Sequence, residues 1–221
     1  MSSIVVAGDV SGSITLQAPS ASGSSVLTLP AVTDTLVGLA ATQTLTNKSI
    51  VATQLTGTVA VANGGTGVAA SKQLIQNLNT TTGAMATGTT TIPQDDTIPQ
   101  ITEGTQFMTL AITPTSATSV LQIDVIAIIS LDTAGFGVFM PLFRDAVANA
   151  LAVSYFQTNG ANAPQTIPLK YIMVAGTTSA ITFRVRIGGQ LASTVTFNGR
   201  AGGALMGGTL ASSITIKEYT A

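Results

Sequence analysis

Cysteine, histidine and tryptophan are absent from this 221-residue chain, and charged residues make up only 8% of it. Without cysteine there is no disulfide and no thiolate nucleophile or ligand. Without histidine the commonest general base and the commonest metal ligand are missing. Serine is plentiful, but no histidine can activate it and no G-x-S-x-G elbow occurs. Lys48, Lys72, Lys170 and Lys217 stand in no recognisable Ser-Lys motif, so no catalytic residue and no enzyme activity are expected. A net charge of −1 leaves no basic footprint for nucleic acid. Long apolar runs are also lacking. The most apolar stretch, Val120 to Ile129, is interrupted by Asp124 and is shorter than the roughly 20 residues a spanning helix needs. Met1 to Val6 has neither a basic nor a long apolar region, so no secretory signal is read.

The scarce charges are unevenly spread. From Met1 to Gln94 only Asp9, Asp34, Lys48 and Lys72 occur, and 13 of the 17 charged residues follow. The first part is built from Ser, Thr, Gly, Ala, Val and Leu, and reads as short strands at Ile4–Ala7, Ser13–Gln17 and Ser25–Leu29. Strands with so few large side chains cannot build a sizeable core alone. A neutral segment of this kind needs copies of itself or a larger assembly to lie against, which points to docking before catalysis. Ile4, Val5, Ile14, Leu16, Leu27 and Leu29 are the apolar anchors it offers.

Three regions follow: 1–62, an extended β-rich anchor; 63–94, a glycine turn, a short helix and a Thr/Gly linker; and 95–221, a jelly-roll-like β-sandwich. The helix is expected over 71–78, where Leu74, Ile75 and Leu78 share a helical face and Ser71 is a candidate cap. Eight strands are expected beyond it, at Gln106–Thr113, Val120–Ser130, Gly137–Phe143, Ala150–Phe156, Thr166–Val174, Ala180–Ile187, Thr194–Phe197 and Ser213–Tyr219. Alternation is clearest where Ile181, Phe183, Val185 and Ile187 point inward and Thr182, Arg184 and Arg186 outward. No βαβ rhythm occurs, so the class is all-β.

Several motifs invite a chemical reading. Gly65-Thr66-Gly67-Val68-Ala69-Ala70 fits the loose dinucleotide pattern but lacks a βαβ unit and an acidic residue at the required distance, so a structural turn is expected and no cofactor is assigned. Asp95 and Asp96, with Glu103 nearby, form a weak candidate metal site on an extended loop; a solvated connector is the plainer reading. Arg184 and Arg186 share a strand face and Arg200 follows on a glycine-rich loop, a candidate partner face whose plainer role is solubility and edge protection. Phe139 and Phe143 share parity and are expected in packing. Arg144-Asp145 is expected at a hairpin tip.

Ser13 to Pro19, Val26 to Pro30, Ala41 to Ile50, the turn Asn63-Gly64-Gly65-Thr66-Gly67 and the hairpin phrase Leu142 to Ala152 together resemble the fibre and head-decoration proteins of tailed bacteriophages. The resemblance implies a homotrimeric virion protein. Its N-terminal segment would dock on the major capsid protein as a cement protein or short head fibre, and its C-terminal knob would project. The alternative it implies is a tail fibre, attached to tail proteins and binding a host glycan. No nucleic acid or membrane partner is expected.

Overall fold

Alternation of apolar and polar residues makes strands the default conformation beyond residue 73, because each strand can bury one face and wet the other. The computed structural model describes residues 72–221 throughout and, before them, 3–7, 13–17, 49–51, 55–57 and 59. Two units are distinguished, Met1–Thr56 and Gly57–Ala221. In the first, β1 (Ser3–Ala7) and β2 (Ser13–Gln17) pair antiparallel with Val5 opposite Thr15. Two expected strands are therefore present there. The third, Ser25–Leu29, lies outside the described residues, as do Leu27, Leu29, Ser71 and the glycine motif at 63–70.

The second unit is a two-sheet antiparallel sandwich. One sheet has six strands: β3 (Leu74–Thr82), β14 (Ser212–Tyr219), β6 (Val120–Leu131), β11 (Val195–Phe197) and β4 (Ala86–Gly88) in that order, with β9 (Gln165–Val174) on the other side of β6. The other has four, in the order β5 (Thr105–Ile112), β10 (Ile181–Gly189), β7 (Gly137–Arg144), β8 (Ala152–Gln157). A small ribbon, β12 (Gly199–Arg200) with β13 (Gly203–Ala204), closes one end. All eight strands expected from the sequence are found, with no end displaced by more than two residues.

The core lies between the sheets. Leu121, Ile123, Val125, Ile214 and Ile216 from one side meet Met140, Leu142, Phe183, Val185 and Ile187 from the other. Phe107 and Phe197 stack across the layers with centroids 5.0 Å apart. Among the described residues there is no α-helix. The helix expected over 71–78 is strand β3, and the expected linker holds the end of β3 and all of β4. Leu74, Ile75 and Leu78 do fall at helical spacing, but Asn77 and Asn79 are poor helix formers and Thr80, Thr81 and Thr82 favour extended backbone. The free edge of β14 decides the matter, since β3 pairs with it from Leu74 to Thr82.

Two buried polar residues tie segments that the sheets alone would leave loose. Asn198, fully buried at φ 52°, donates to the Thr82 and Ala84 carbonyls at 2.7 and 3.2 Å and accepts from Ser212 Oγ at 2.6 Å. Glu218 is fully buried at the inner end of β14 and accepts from Thr115 N, Thr115 Oγ1 and Gln76 Nε2.

Candidate functional site

Each sheet has an outer face, and the two differ in kind. On the six-stranded sheet the outward positions of β6 are Val120, Gln122, Asp124 and Ile126, which stand opposite Val174, Ile172, Lys170 and Pro168 of β9. On the β14 side the same positions meet Tyr219, Lys217, Thr215 and Ser213. The polar middle is organised around Asp124, which accepts from Lys217 Nζ at 3.3 Å and from Gln122 Nε2 at 2.7 Å. Apolar side chains flank it at both ends: Ile126 is 47% exposed, Ile172 54% and Val174 57%.

The outer face of the four-stranded sheet is crossed by a strap, residues 92–104, that links β4 to β5. Ile92 is fully buried, and its N–H donates to the Gly189 carbonyl at 3.0 Å. Further on, Ala150 N donates to Pro99 O at 3.0 Å and Ile101 N to Ala148 O at 2.8 Å, so the strap runs as a short extra strand beside the segment leading into β8. Arg186 holds its far end, with Nε on Glu103 O at 2.8 Å and Nη2 on Gly104 O at 2.7 Å. Phe143, buried but outside the inter-sheet cluster, faces outward opposite Arg184 on this strapped side. Beyond the strap, Phe139 and Tyr155 form a tilted aromatic pair, centroids 5.1 Å apart.

The two arginines singled out in the sequence are therefore adjacent and outward, and each gives part of its donor set to the backbone. Arg184 Nε donates to Asp145 O at 3.0 Å, and its Nη1 reaches Gln106 Oε1 at 3.5 Å. Partial burial and the neighbouring Arg184 lower the pKa of Arg186, which remains a cation at any physiological pH. Arg200 lies apart from them, on the β12 ribbon. Asp145 is at the β7–β8 turn as expected, at φ 53°. Its N–H donates to Thr182 O at 2.7 Å, and its carboxylate accepts from Thr182 N at 2.8 Å, which extends the β7–β10 ladder by one rung. Asp145→Ala leaves that rung's part-buried N–H without an acceptor and is expected to cost about 1 kcal/mol by urea unfolding. An unchanged midpoint would show that water replaces the carboxylate.

Asp95 and Asp96 sit on the strap where it turns away from the sheet. Asp95 is capped by Thr97, whose N–H and hydroxyl hold its carboxyl below the usual range. With Thr97, Ile98 and Pro99 the two aspartates form one wall of a cleft of about 420 Å³; Ala150, Leu151, Ala152 and Val153 form the other. Glu103 is turned elsewhere and accepts from Gln100 N at 2.9 Å. Among the described residues no three acidic side chains gather to hold a metal ion. Sequence reasoning missed both the strap and the cleft. A legible signal existed in Gly188-Gly189, the one place on β10 where a strand position carries no side chain.

Comparison with known proteins places the chain. No curated protein matches it. Among the solved structures that resemble it are Eiger TNF from S. frugiperda at 8% identity and TM-score 0.38, covering 64% of this chain and 92% of that one; PorU from Porphyromonas gingivalis at 10% and 0.34, covering 69% and 14%; and infectious bursal disease virus, Gx strain, at 15% and 0.30, covering 66% and 37%. The family model of the Pgp3 C-terminal domain, a Chlamydia virulence protein family, matches residues 74–221. That match overturns the resemblance to phage fibre and head-decoration proteins. With it go the virion as location, the capsid as docking target and the tail fibre as alternative. The phrases that carried the resemblance are mostly Ser/Thr/Leu alternations before residue 74, which any extended chain can use. The one phrase inside the matched region is the β7–β8 hairpin, a connection common to antiparallel sandwiches. From residue 74 to its end, this chain belongs to the Pgp3 C-terminal domain family.

Proposed function

We propose that the chain is a binding component of a bacterial virulence protein and works as a homo-oligomeric β knob rather than as an enzyme. The observation that carries this reading is the outer face of the six-stranded sheet. Ile126 and Pro168 at one end, and Val120, Ile172 and Val174 at the other, flank the Asp124–Lys217 pair and Lys170. Apolar ends around a charged centre suit a protein interface: burial supplies affinity, and the charges fix the register of the partner. A second copy is the occupant that a chain of 8% charge and 45% hydrophobic residues favours. The family match supports a role in virulence.

Sedimentation equilibrium tests the reading. The wild type is expected to associate, with three copies as the count to test, and Ile126→Lys with Ile172→Lys is expected to yield monomers. Both side chains are about half exposed, so the unfolding midpoint should move little. A wild type that is monomeric at tens of micromolar would refute the proposal.

A further inference from the structure

The strap shows how the free edge of β8 can be used. Leu151 N donates back to Leu142 O of β7, whereas Ala150 N donates away from β7, to Pro99 O of the strap. The strap thus occupies the outer edge of the segment leading into β8, and it leaves that edge at the Asp95–Thr97 bend. Beyond this point β8 is the last strand of its sheet. Thr158 N donates to Phe136 O of β7, so residues of the same parity, Phe156 and Ser154, turn their main-chain groups to β7. Those of Val153, Tyr155 and Gln157 turn away from β7, to the edge with which no strand pairs.

The side chains around this edge describe what would fit it. Val153 is 41% exposed, Tyr155 48% and Ile98 54%, an apolar lining that water covers poorly. The Asp95 and Asp96 carboxylates stand at the cleft beside them. Neither has a cationic partner among the described residues, where the ion pairs are Arg144–Asp145 and Lys217–Asp124. An occupant must supply main-chain donors and acceptors, apolar side chains at alternate positions, and a positive charge.

We propose that the cleft and the β8 edge together bind an extended peptide segment of a partner protein. The peptide adds as a strand beside Val153–Gln157, with a lysine or arginine placed between the Asp95 and Asp96 carboxylates and an apolar side chain against Ile98 and Val153. Main-chain pairing supplies affinity, and the carboxylates select for the cation. This site lies on the four-stranded sheet and does not depend on self-association through the other face.

The test uses the full chain and two fluorescent octapeptides, one alternating lysine and valine, the other alternating glutamate and valine. The lysine peptide is expected to bind and to slow hydrogen exchange at Val153, Tyr155 and Gln157. Asp95→Asn with Asp96→Asn, both on exposed loop, should weaken it about tenfold or more and leave the sedimentation of the protein unchanged. Three results would overturn the proposal: equal binding of the glutamate peptide, undiminished binding to the double variant, or binding without protection of the β8 amides. Protection of those amides in the free protein that rises with its concentration would also overturn it, by making the occupant a second copy.

Discussion

Glu218→Gln should lower the stability of the domain by about 3 kcal/mol at neutral pH and flatten its acid sensitivity. Burial alone would raise the pKa of this carboxyl. Against that, the Ser119 and Thr115 hydroxyls, the Gln76 amide and the Thr115 N–H bring it down from 4.5 to about 2. A carboxylate whose pKa is depressed on folding stabilises the native state above its unfolded pKa. That stability is lost as pH falls through the folded value, so the window here runs from about pH 4.5 to about pH 2. Glutamine keeps the shape and one acceptor oxygen, but its NH2 must face one of two donors that already point inward, Thr115 N at 2.8 Å or Gln76 Nε2 at 2.5 Å. Because Gln76 also donates to Thr113 O at 2.9 Å, the lost charge loosens β3, β14 and the β5–β6 connection together. The melting temperature at pH 7 should drop by about 6–12 °C for a chain of this size. Variant and wild type should converge towards pH 2. Parallel melting curves from pH 7 to pH 2 would show that the network carries no ionised group.

Glu218 also shows what the sequence could have revealed and did not. Ser212, Ile214, Ile216 and Glu218 share a parity, so the alternation that correctly places Ile214 and Ile216 inward places a carboxylate inward as well. An acid in a buried register has to be met by donors, and that requirement follows from the alternation alone. The strands of the sandwich were legible for the same reason, because period-two burial in β6, β10 and β14 is strong enough to fix both type and face. β3 was not. Its apolar residues fit a helical spacing too, and its conformation is set by the unpaired edge of β14, 130 residues or more away in sequence. The strap was illegible for a related reason: residues 92–104 have no regular element of their own. They are held by the Gly189 carbonyl, by the Arg186 donors and by the 148–150 segment, all distant along the chain. Asp95 and Asp96 were found as a pair, but their neighbours across the cleft, Ala150 to Val153, come more than 50 residues later, after β5, β6 and β7.

The strap also makes Gly188 the position where one added side chain should do most harm to the proposed peptide site. A Cβ there would lie 2.6 Å from the Thr90 carbonyl oxygen, 2.8 Å from Ile92 Cγ1 and 3.1 Å from the Gly104 Cα. Two of these neighbours are backbone and cannot rotate away. Gly104, at φ 65°, is itself confined between Ile92 and the Ile187 carbonyl. Gly188→Val therefore has one way to fit, which is to lift the strap and expose Ile92. Losing the burial of one isoleucine costs about 1.5–3 kcal/mol, and the broken strap hydrogen bonds add to it, so about 3 kcal/mol or more is expected. Native-state hydrogen exchange separates this from global weakening. The amides of Ile92 and Gly104, which donate to Gly189 O and Thr91 O, should lose protection, while those of the β6–β14 ladder persist. The lysine peptide should lose its cleft with them. A valine variant that keeps Ile92 protected would mean that β10 yields instead of the strap, and that the strap is held from its Arg186 end.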